Sequence, residues 1–388
     1  MAEADRLPSA RARAMVAAGG AEAFAILDRA SALQRQGREI LSLSIGQPED
    51  APPAAAIAAA QDALARGRTR YGPLLGDPAL RAAVAAARGC DACEVAILPG
   101  AQAALSAVLH VLLDPGEAVL SPDPHYATYP GTAAAAGARF VPVPMEAPAF
   151  RLDVARLEAA VTPRTRAILV NTPANPTGRT IDAEGFAALG ALCRRHDLWL
   201  ISDEVYGSLR YADTHVSAWQ HGPQGRTIVI DSLSKSHAMT GFRIGWVLAP
   251  ADLMPAFEEW SAAAIFGVSL FVQDAALAAL ALPDAELAAY RAGFARRAAM
   301  LAAAVADCPS LSLAAPDGGM FGLVAVKGDD LAFAHALLEA EGIAVLPGSA
   351  FGRAARGHVR ISLTPDDGTF GRALDGLIRF ARQFRSSS

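Results

Sequence analysis

Lysine is almost missing from this chain. Of its 34 basic residues only two, Lys235 and Lys327, are lysines. A surface that needs only positive charge takes either basic residue. A lysine kept in so arginine-biased a chain therefore marks a position that a guanidinium does not serve. Arginine stays protonated, whereas a lysine amine can lose its proton to burial or a neighbouring cation and act as a nucleophile. Other absences narrow the class. There are four cysteines, and Cys90 and Cys93 form one C-x-x-C, but no second pair or nearby His completes a zinc set. With Cys193 and Cys308 they read as reduced structural thiols of a cytoplasmic protein, with no metal. No apolar run approaches the roughly 18 residues of a membrane span. The N-terminus carries early acids and no signal-like apolar core. A net charge of −5 without a basic patch argues against nucleic acid as a partner. Neither G-x-G-x-x-G nor G-x-x-x-x-G-K-[ST] occurs, which argues against dinucleotide and nucleotide-triphosphate loops.

What is present is a large apolar inventory, 53% of 388 residues, enough for one big domain and a smaller one. Seven short, nearly continuous apolar runs recur from Val95 to Leu248. They cover 95–98, 118–120, 139–143, 166–171, 198–203, 227–231 and 244–248, most of them separated by helical stretches. This pattern predicts a mainly parallel seven-stranded sheet with helices on both faces. Upstream, the pattern predicts one helix over 11–37, a strand over 39–46 and a helix over 53–66. Asp77 and Pro78 then read as the cap and first turn of a helix to Arg88. Downstream, a long helical stretch over 274–308 leads to strands at 320–326, 343–346 and 358–363, a small α+β domain. The expected division is an N-terminal segment 1–45 packing on the small domain, a large domain 46–283 and a small domain 284–388.

Ligands of such sheets sit at the carboxyl ends of the strands. Loops beginning at Pro99, Pro122, Thr172, Asp203 and Ser232 all fall at that edge. Asp203 ends an apolar strand, and a buried acid needs a positive partner. Tyr206 follows it. Lys235 offers an amine, with Ser232 and Arg243 on its own segment suited to a phosphate. Ala101 and Gln102 open a helix whose free N–H groups favour anions. A phosphate site, an acid for a ring nitrogen and a lysine amine together fit pyridoxal phosphate.

The motifs Asn175-Pro176-Thr177-Gly178, Asp203-Glu204-Val205-Tyr206 and Ser232-Leu233-Ser234-Lys235, with Met239, Gly241, Arg243, Gly245 and Trp246, carry a resemblance. Together they resemble the class I/II pyridoxal-phosphate-dependent aminotransferases of fold type I, over nearly the whole chain. Within that family, the runs 232–241, 196–206 and 316–321 are most similar to bacterial arginine–pyruvate transaminases.

The resemblance implies a role for each residue. Lys235 is the Schiff-base lysine and proton carrier, and Asp203 pairs with the pyridinium nitrogen. Asn175 and Tyr206 bond the ring's 3-oxygen, and Tyr126 stacks on the ring. Ala101, Gln102, Ser232 and Arg243 hold the phosphate. Tyr71 reaches the phosphate of the other subunit, which implies a homodimer. Arg360 grips the substrate carboxylate in a two-pronged pair, and Gly46 lets the backbone pass close to it. His125 and His237 have no assigned role, and Lys327 reads as a solvated turn residue. The substrates implied are an L-amino acid, arginine among them, and a 2-oxo acid such as pyruvate. An aspartate- or aromatic-type aminotransferase and a β-lyase on the same fold remain open. A regulatory module that binds the cofactor without turnover is disfavoured by the lack of room for a DNA-binding domain. For arginine an acid should face the guanidinium, and Glu22 and Glu49 are the candidates.

Overall fold

The computed structural model describes residues 8–18, 21–212 and 214–384, the side chains of 21–24 excepted. Two helices, Ala10–Ala18 and Ala21–Arg35, stand where the pattern predicts one. The first lies on the helix Tyr129–Ala136, and the second on the helix Asp330–Glu341. The strand expected over 39–46 shrinks to β1 (Leu41–Ser42). Beyond it the carbonyls of Ser44 and Ile45 are taken by the side chains of Arg360 and Ser362, so no ladder continues there.

Seven strands then form the central sheet: β2 (Val95–Leu98), β3 (Ala118–Asp123), β4 (Arg139–Pro144), β5 (Thr165–Asn171), β6 (Trp199–Asp203), β7 (Thr227–Ser232) and β8 (Gly245–Leu248). Their order across the sheet is β2-β8-β7-β6-β5-β3-β4. Only β8 is antiparallel to its neighbours; the remaining pairings are parallel. All four residues of β2 and all six of β7 are buried, because helices cover both faces. Each Val, Ile or Leu so buried contributes about 1.5–3 kcal/mol of transfer free energy. The helix Ala101–Leu112 is apolar nearly all round for the same reason and buries Ala104, Leu105, Ala107, Val108, Leu109 and Leu112. As the sequence predicts, Asp77 caps the helix Pro78–Arg88 by accepting from the Ala79 N–H; Gly89 is left-handed at its end.

The predicted helical stretch over 274–308 is two helices, Leu270–Leu280 and Ala288–Ala306. Pro283 stands between them and has no N–H to carry a helix through. The remaining strands are β9 (Ser312–Leu313), β10 (Phe321–Ala325), β11 (Ile343–Ala344), β12 (Leu346–Pro347) and β13 (His358–Ser362). The apolar run at 343–346 serves two sheets: β11 pairs with β1 and β12 with β13. The second sheet has the order β12-β13-β10-β9 and is antiparallel. Arg360 sits in its interior strand, opposite Leu323 on one side and Leu346 on the other.

Topology therefore brings the carboxyl ends of β2, β3, β5, β6 and β7 to one edge. Because β8 is reversed, its amino end meets the same edge, where Gly245 pairs with Leu98 and Ser232. This is how Arg243, which precedes a strand, joins residues that follow strands.

Candidate active site

Lys235 lies one turn beyond β7. Ser232 starts that turn by accepting the Ser234 N–H at 3.3 Å, and the short helix Leu233–Ser236 follows. The Lys235 Nζ donates to the Gly46 carbonyl at 2.7 Å. Burial, with Arg360 and Arg243 nearby, lowers this amine from its ordinary value to about 8. That places it within reach of neutrality near physiological pH, the property that the lysine bias of the sequence suggested.

Asp203 ends β6 and is 8% exposed. The positive partner expected for it is not found among the described residues, where Asp203 forms no ion pair. Its carboxylate instead accepts from the Tyr129 hydroxyl at 2.6 Å and from the Val205 N–H at 3.3 Å. Burial pushes its pKa up to about 6, and Tyr129 and Val205 oppose the rise. The Asn171 side chain ties this strand end to the next loop. It donates to the Asp203 carbonyl at 2.8 Å and accepts the Asn175 N–H at 2.7 Å. Tyr206 is buried against Phe321, with ring centroids 5.8 Å apart, and burial raises its hydroxyl pKa.

On the other flank, Gly100 precedes the helix Ala101–Leu112 with φ +85°, and no side chain caps that helix. A Cβ on Gly100 would meet the Arg243 Nη2 at 2.6 Å, so only glycine permits both the left-handed turn and the guanidinium. Arg243 is held by its donation to the Thr240 carbonyl at 2.9 Å. Gln102 donates to the Thr132 hydroxyl at 2.7 Å. Its side chain is therefore engaged, and the helix start is left with backbone N–H groups to offer.

Arg360 is 5% exposed. It donates to the Asn175 side-chain oxygen at 3.1 Å and to the Ser44 carbonyl. Its guanidinium lies between Phe321 and Phe351, 4.1 and 4.6 Å from the ring centroids. Its Nε has no hydrogen-bond partner. No carboxylate among the described residues meets it, and burial lowers its pKa to about 10. Neither phenylalanine was given a role from sequence: Phe321 lay in a strand-like run, which carries only a core signal, and Phe351 lay between two such runs. Tyr129 was given no role from sequence, since nothing local reveals contact with a residue 74 positions away.

These residues line two joined cavities. One, of about 840 Å³, is bordered by Gly46, Tyr126, Asn175, Tyr206, Lys235 and Arg360. The other, of about 150 Å³, adds Ala101, Asp203 and Ser232, and both reach Gln102, Lys235 and Arg243. Tyr71 is the exception. It is 81% exposed, packs edge-on against Phe266 at 4.8 Å and lines neither cavity. His125 is buried against Phe140 and bonds the Tyr126 carbonyl. His237 bonds the Ser236 hydroxyl, and burial lowers it to about 4. Lys327 is exposed. The four cysteines are free thiols, and the described residues contain no metal-holding cluster. No helix among the described residues is long and apolar enough to cross a membrane. Glu49 lines a neighbouring cavity that shares Ile45, Gln47 and Thr240 with the larger one. The side chain of Glu22 lies outside the described residues.

Comparison with known proteins agrees with this geometry. The family model described as aminotransferase class I and II matches residues 38–377. An arginine–pyruvate transaminase of Pseudomonas aeruginosa is 44% identical, over 90% of this chain and 91% of its own. An aspartate aminotransferase of Geobacillus stearothermophilus is 33% identical, over 92% and 95%. Among solved structures, the aspartate aminotransferase of Rhizobium meliloti superposes with a TM-score of 0.91 at 30% identity, covering 97% of this chain and 99% of that one. The Thermus thermophilus aspartate aminotransferase solved with maleate gives 0.89 at 32%, covering 96% and 99%. The chain belongs to the class I and II aminotransferases and is a transaminase.

Proposed function

We propose that this transaminase uses pyridoxal phosphate, takes an α-amino acid with a cationic side chain, arginine foremost, as donor, and passes the amino group to pyruvate. The observation that carries the cofactor reading is a double charge deficit. Among the described residues Asp203 is a buried acid with no cation, Arg360 is a buried cation with no acid, and Lys235 lies in the cavities between them. Such groups are costly to bury unless a ligand completes them. A protonated ring nitrogen answers Asp203 and a substrate carboxylate answers Arg360. A phosphate answers the uncapped helix start at Ala101 and Gln102, with Ser232 and Arg243 beside it. Tyr126 offers a ring face, and Asn175 and Tyr206 offer polar atoms to the ring oxygen.

Bound there, pyridoxal phosphate would supply a carbonyl for the amino group and a ring that accepts electrons. The chain's own residues do the rest. Arg360 fixes the donor's carboxylate in two hydrogen bonds, which orients the Cα–H. The Lys235 Nζ takes the proton from Cα and returns it on the far side of the transfer. Gly46 keeps the backbone close, because a Cβ there would meet the Phe321 ring at 2.3 Å.

The donor assignment is supported by the Pseudomonas relative's activity. Glu49, in the adjoining cavity, is the acid we assign to the guanidinium. The exposed Tyr71 is assigned to the phosphate site of a second copy, in a cytoplasmic homodimer. The large domain is taken as 46–283 and the small one as 284–388, with 1–45 as an N-terminal segment whose second helix packs on the small domain and whose first packs on the large one. An aspartate donor is the second reading, favoured by the described lining of the larger cavity, which holds no acid to meet a guanidinium. The test is a panel of amino donors against pyruvate and 2-oxoglutarate, with both products quantified. Arginine with pyruvate should give the highest kcat/KM. A clear aspartate or aromatic preference refutes the donor assignment. Failure of every donor to yield its 2-oxo acid with stoichiometric alanine or glutamate refutes the transaminase mechanism.

A further inference from the structure

Tyr290 lies outside the lining of both cavities and yet bonds directly to the lysine residue. Resting on the reading above, we propose that Tyr290 is a positioning residue for Lys235. Its hydroxyl, carried by the helix Ala288–Ala306, holds the lysine's own backbone carbonyl and so sets where the amine stands relative to Arg360.

The bond is direct: the Tyr290 hydroxyl donates to the Lys235 carbonyl at 2.5 Å. That carbonyl needs a partner from elsewhere. The helix Leu233–Ser236 ends at once, and the N–H groups of His237 and Met239 both turn back to the Leu233 carbonyl at 3.2 Å. Met239, four residues on, would serve Lys235 in a continuing helix. A carbonyl left over at a helix end is satisfied by a cap, by water or by a side chain, and here a side chain 55 residues away does it.

The location of Tyr290 gives the bond its meaning. Its ring packs edge-on against Phe294 at 5.2 Å. Phe294 belongs to the buried cluster that also contains Phe321 and Phe351, the two rings that enclose Arg360. The helix with Tyr290 and the strand with Arg360 thus share one core. The far end of the lysine is tied to the same part. Its Nζ is bonded to Gly46, and the neighbours of Gly46 are fastened to β13 through Arg360 to Ser44 and Ser362 to Ile45. The lysine backbone belongs to the central sheet, but both of its tethers lead to the second sheet. A displacement of the carboxylate-gripping part is therefore passed to the amine that must work beside that carboxylate.

The charged groups that face the Tyr290 hydroxyl are Asp50 and Arg297, and burial raises its pKa well above that of an ordinary tyrosine. It remains a neutral donor across the working pH range. The charged groups acting on the Lys235 amine are Arg360 and Arg243, so a pH titration of the site reports the lysine rather than the tyrosine.

The test compares holoenzyme of the wild type and of Tyr290→Phe, which keeps the ring and its contact with Phe294. Three measurements are made: the pH midpoint of the bound cofactor's visible absorbance, amide hydrogen exchange of the peptide spanning 233–239, and kcat with KM. Losing one hydrogen bond of ordinary net strength should speed exchange in that peptide about threefold to tenfold. The absorbance midpoint should move, and kcat should fall by a similar factor while KM for the donor stays within about twofold. Thermal stability and local exchange would also respond to a purely structural tyrosine; the absorbance midpoint would not. Wild-type exchange or an unmoved midpoint in the variant overturns the proposal. A wild type with no visible cofactor band refutes the cofactor reading separately, and the exchange comparison still tests the bond from Tyr290.

Discussion

Replacing Tyr129 by phenylalanine removes one oxygen from the core, and the consequence should depend on pH. The Tyr129 hydroxyl is the principal group opposing the desolvation of Asp203, at 2.6 Å. Hydrogen bonds to charged groups contribute about 1.5–3 kcal/mol, which corresponds to roughly one to two pKa units at about 1.36 kcal/mol each. The Asp203 carboxyl, at about 6 in the wild type, should therefore rise to about 7–8 in the variant. The sign follows from linkage. A carboxyl whose folded pKa exceeds its unfolded value holds its proton longer in the native state, so stability falls as pH rises from the unfolded value to the folded one, then levels off. For wild-type apoenzyme this loss ends near the Asp203 value of about 6. For Tyr129→Phe it continues for a further one to two units. The stability gap between the two proteins should be small at pH 5 and larger at pH 8 by about 1.5–3 kcal/mol. At this chain length that is a shift of a few degrees in Tm. The assay is thermal unfolding of both apoenzymes between pH 5 and 9. Added pyridoxal phosphate should narrow the gap, because a ring cation would give the carboxylate the partner it lacks. A gap that is the same at pH 5 and pH 8 would refute the argument that Tyr129 acts through the charge of Asp203.

Four further outcomes are expected. Lys235→Arg should abolish the cofactor's visible absorbance and nearly all turnover. In the wild type, kcat should rise with pH through the lysine's value of about 8, since the neutral amine is the form that accepts a proton; a kcat flat from pH 6 to 9 counts against that assignment. Arg360→Lys keeps the charge but loses the fork between Phe321 and Phe351. It should raise KM for the donor about 10²-fold, and an unchanged KM in steady-state assays would remove Arg360 from carboxylate binding. Gly46→Ala should lower kcat/KM about tenfold or more by pressing on Phe321, and the double variant with Phe321→Leu should recover part of it.

Much of this was legible before any coordinates because the signals are local. A parallel strand covered on both faces must be apolar throughout, so the seven runs of the central sheet stand out in the sequence. The loops at their ends then single out Asp203, Ser232 and Lys235, whereas Asn175 came only with the family resemblance. Helix starts with strong local chemistry, such as Asp77-Pro78, were equally readable. Where the pattern misled, a distant part of the fold had claimed the backbone. The strand over 39–46 lost its carbonyls to Arg360 and Ser362, and the run at 343–346 was divided between two sheets.

What the sequence alone determined is the kind of chemistry: one lysine kept among arginines, an acid at a strand end, and an uncapped glycine turn before a helix. Periodicity and residue type suffice for these, because each is a property of a few neighbouring residues. What only the tertiary structure decided is the electrostatic state of those groups. That Asp203 meets a tyrosine, that Arg360 is enclosed by two phenylalanines with no acid among the described residues, and that Lys235 is tethered at both ends by Gly46 and Tyr290 all depend on contacts between different elements, as far as 189 residues apart in the chain. Burial sets the cost of a charge, and burial is a property of the assembled core rather than of any segment within it.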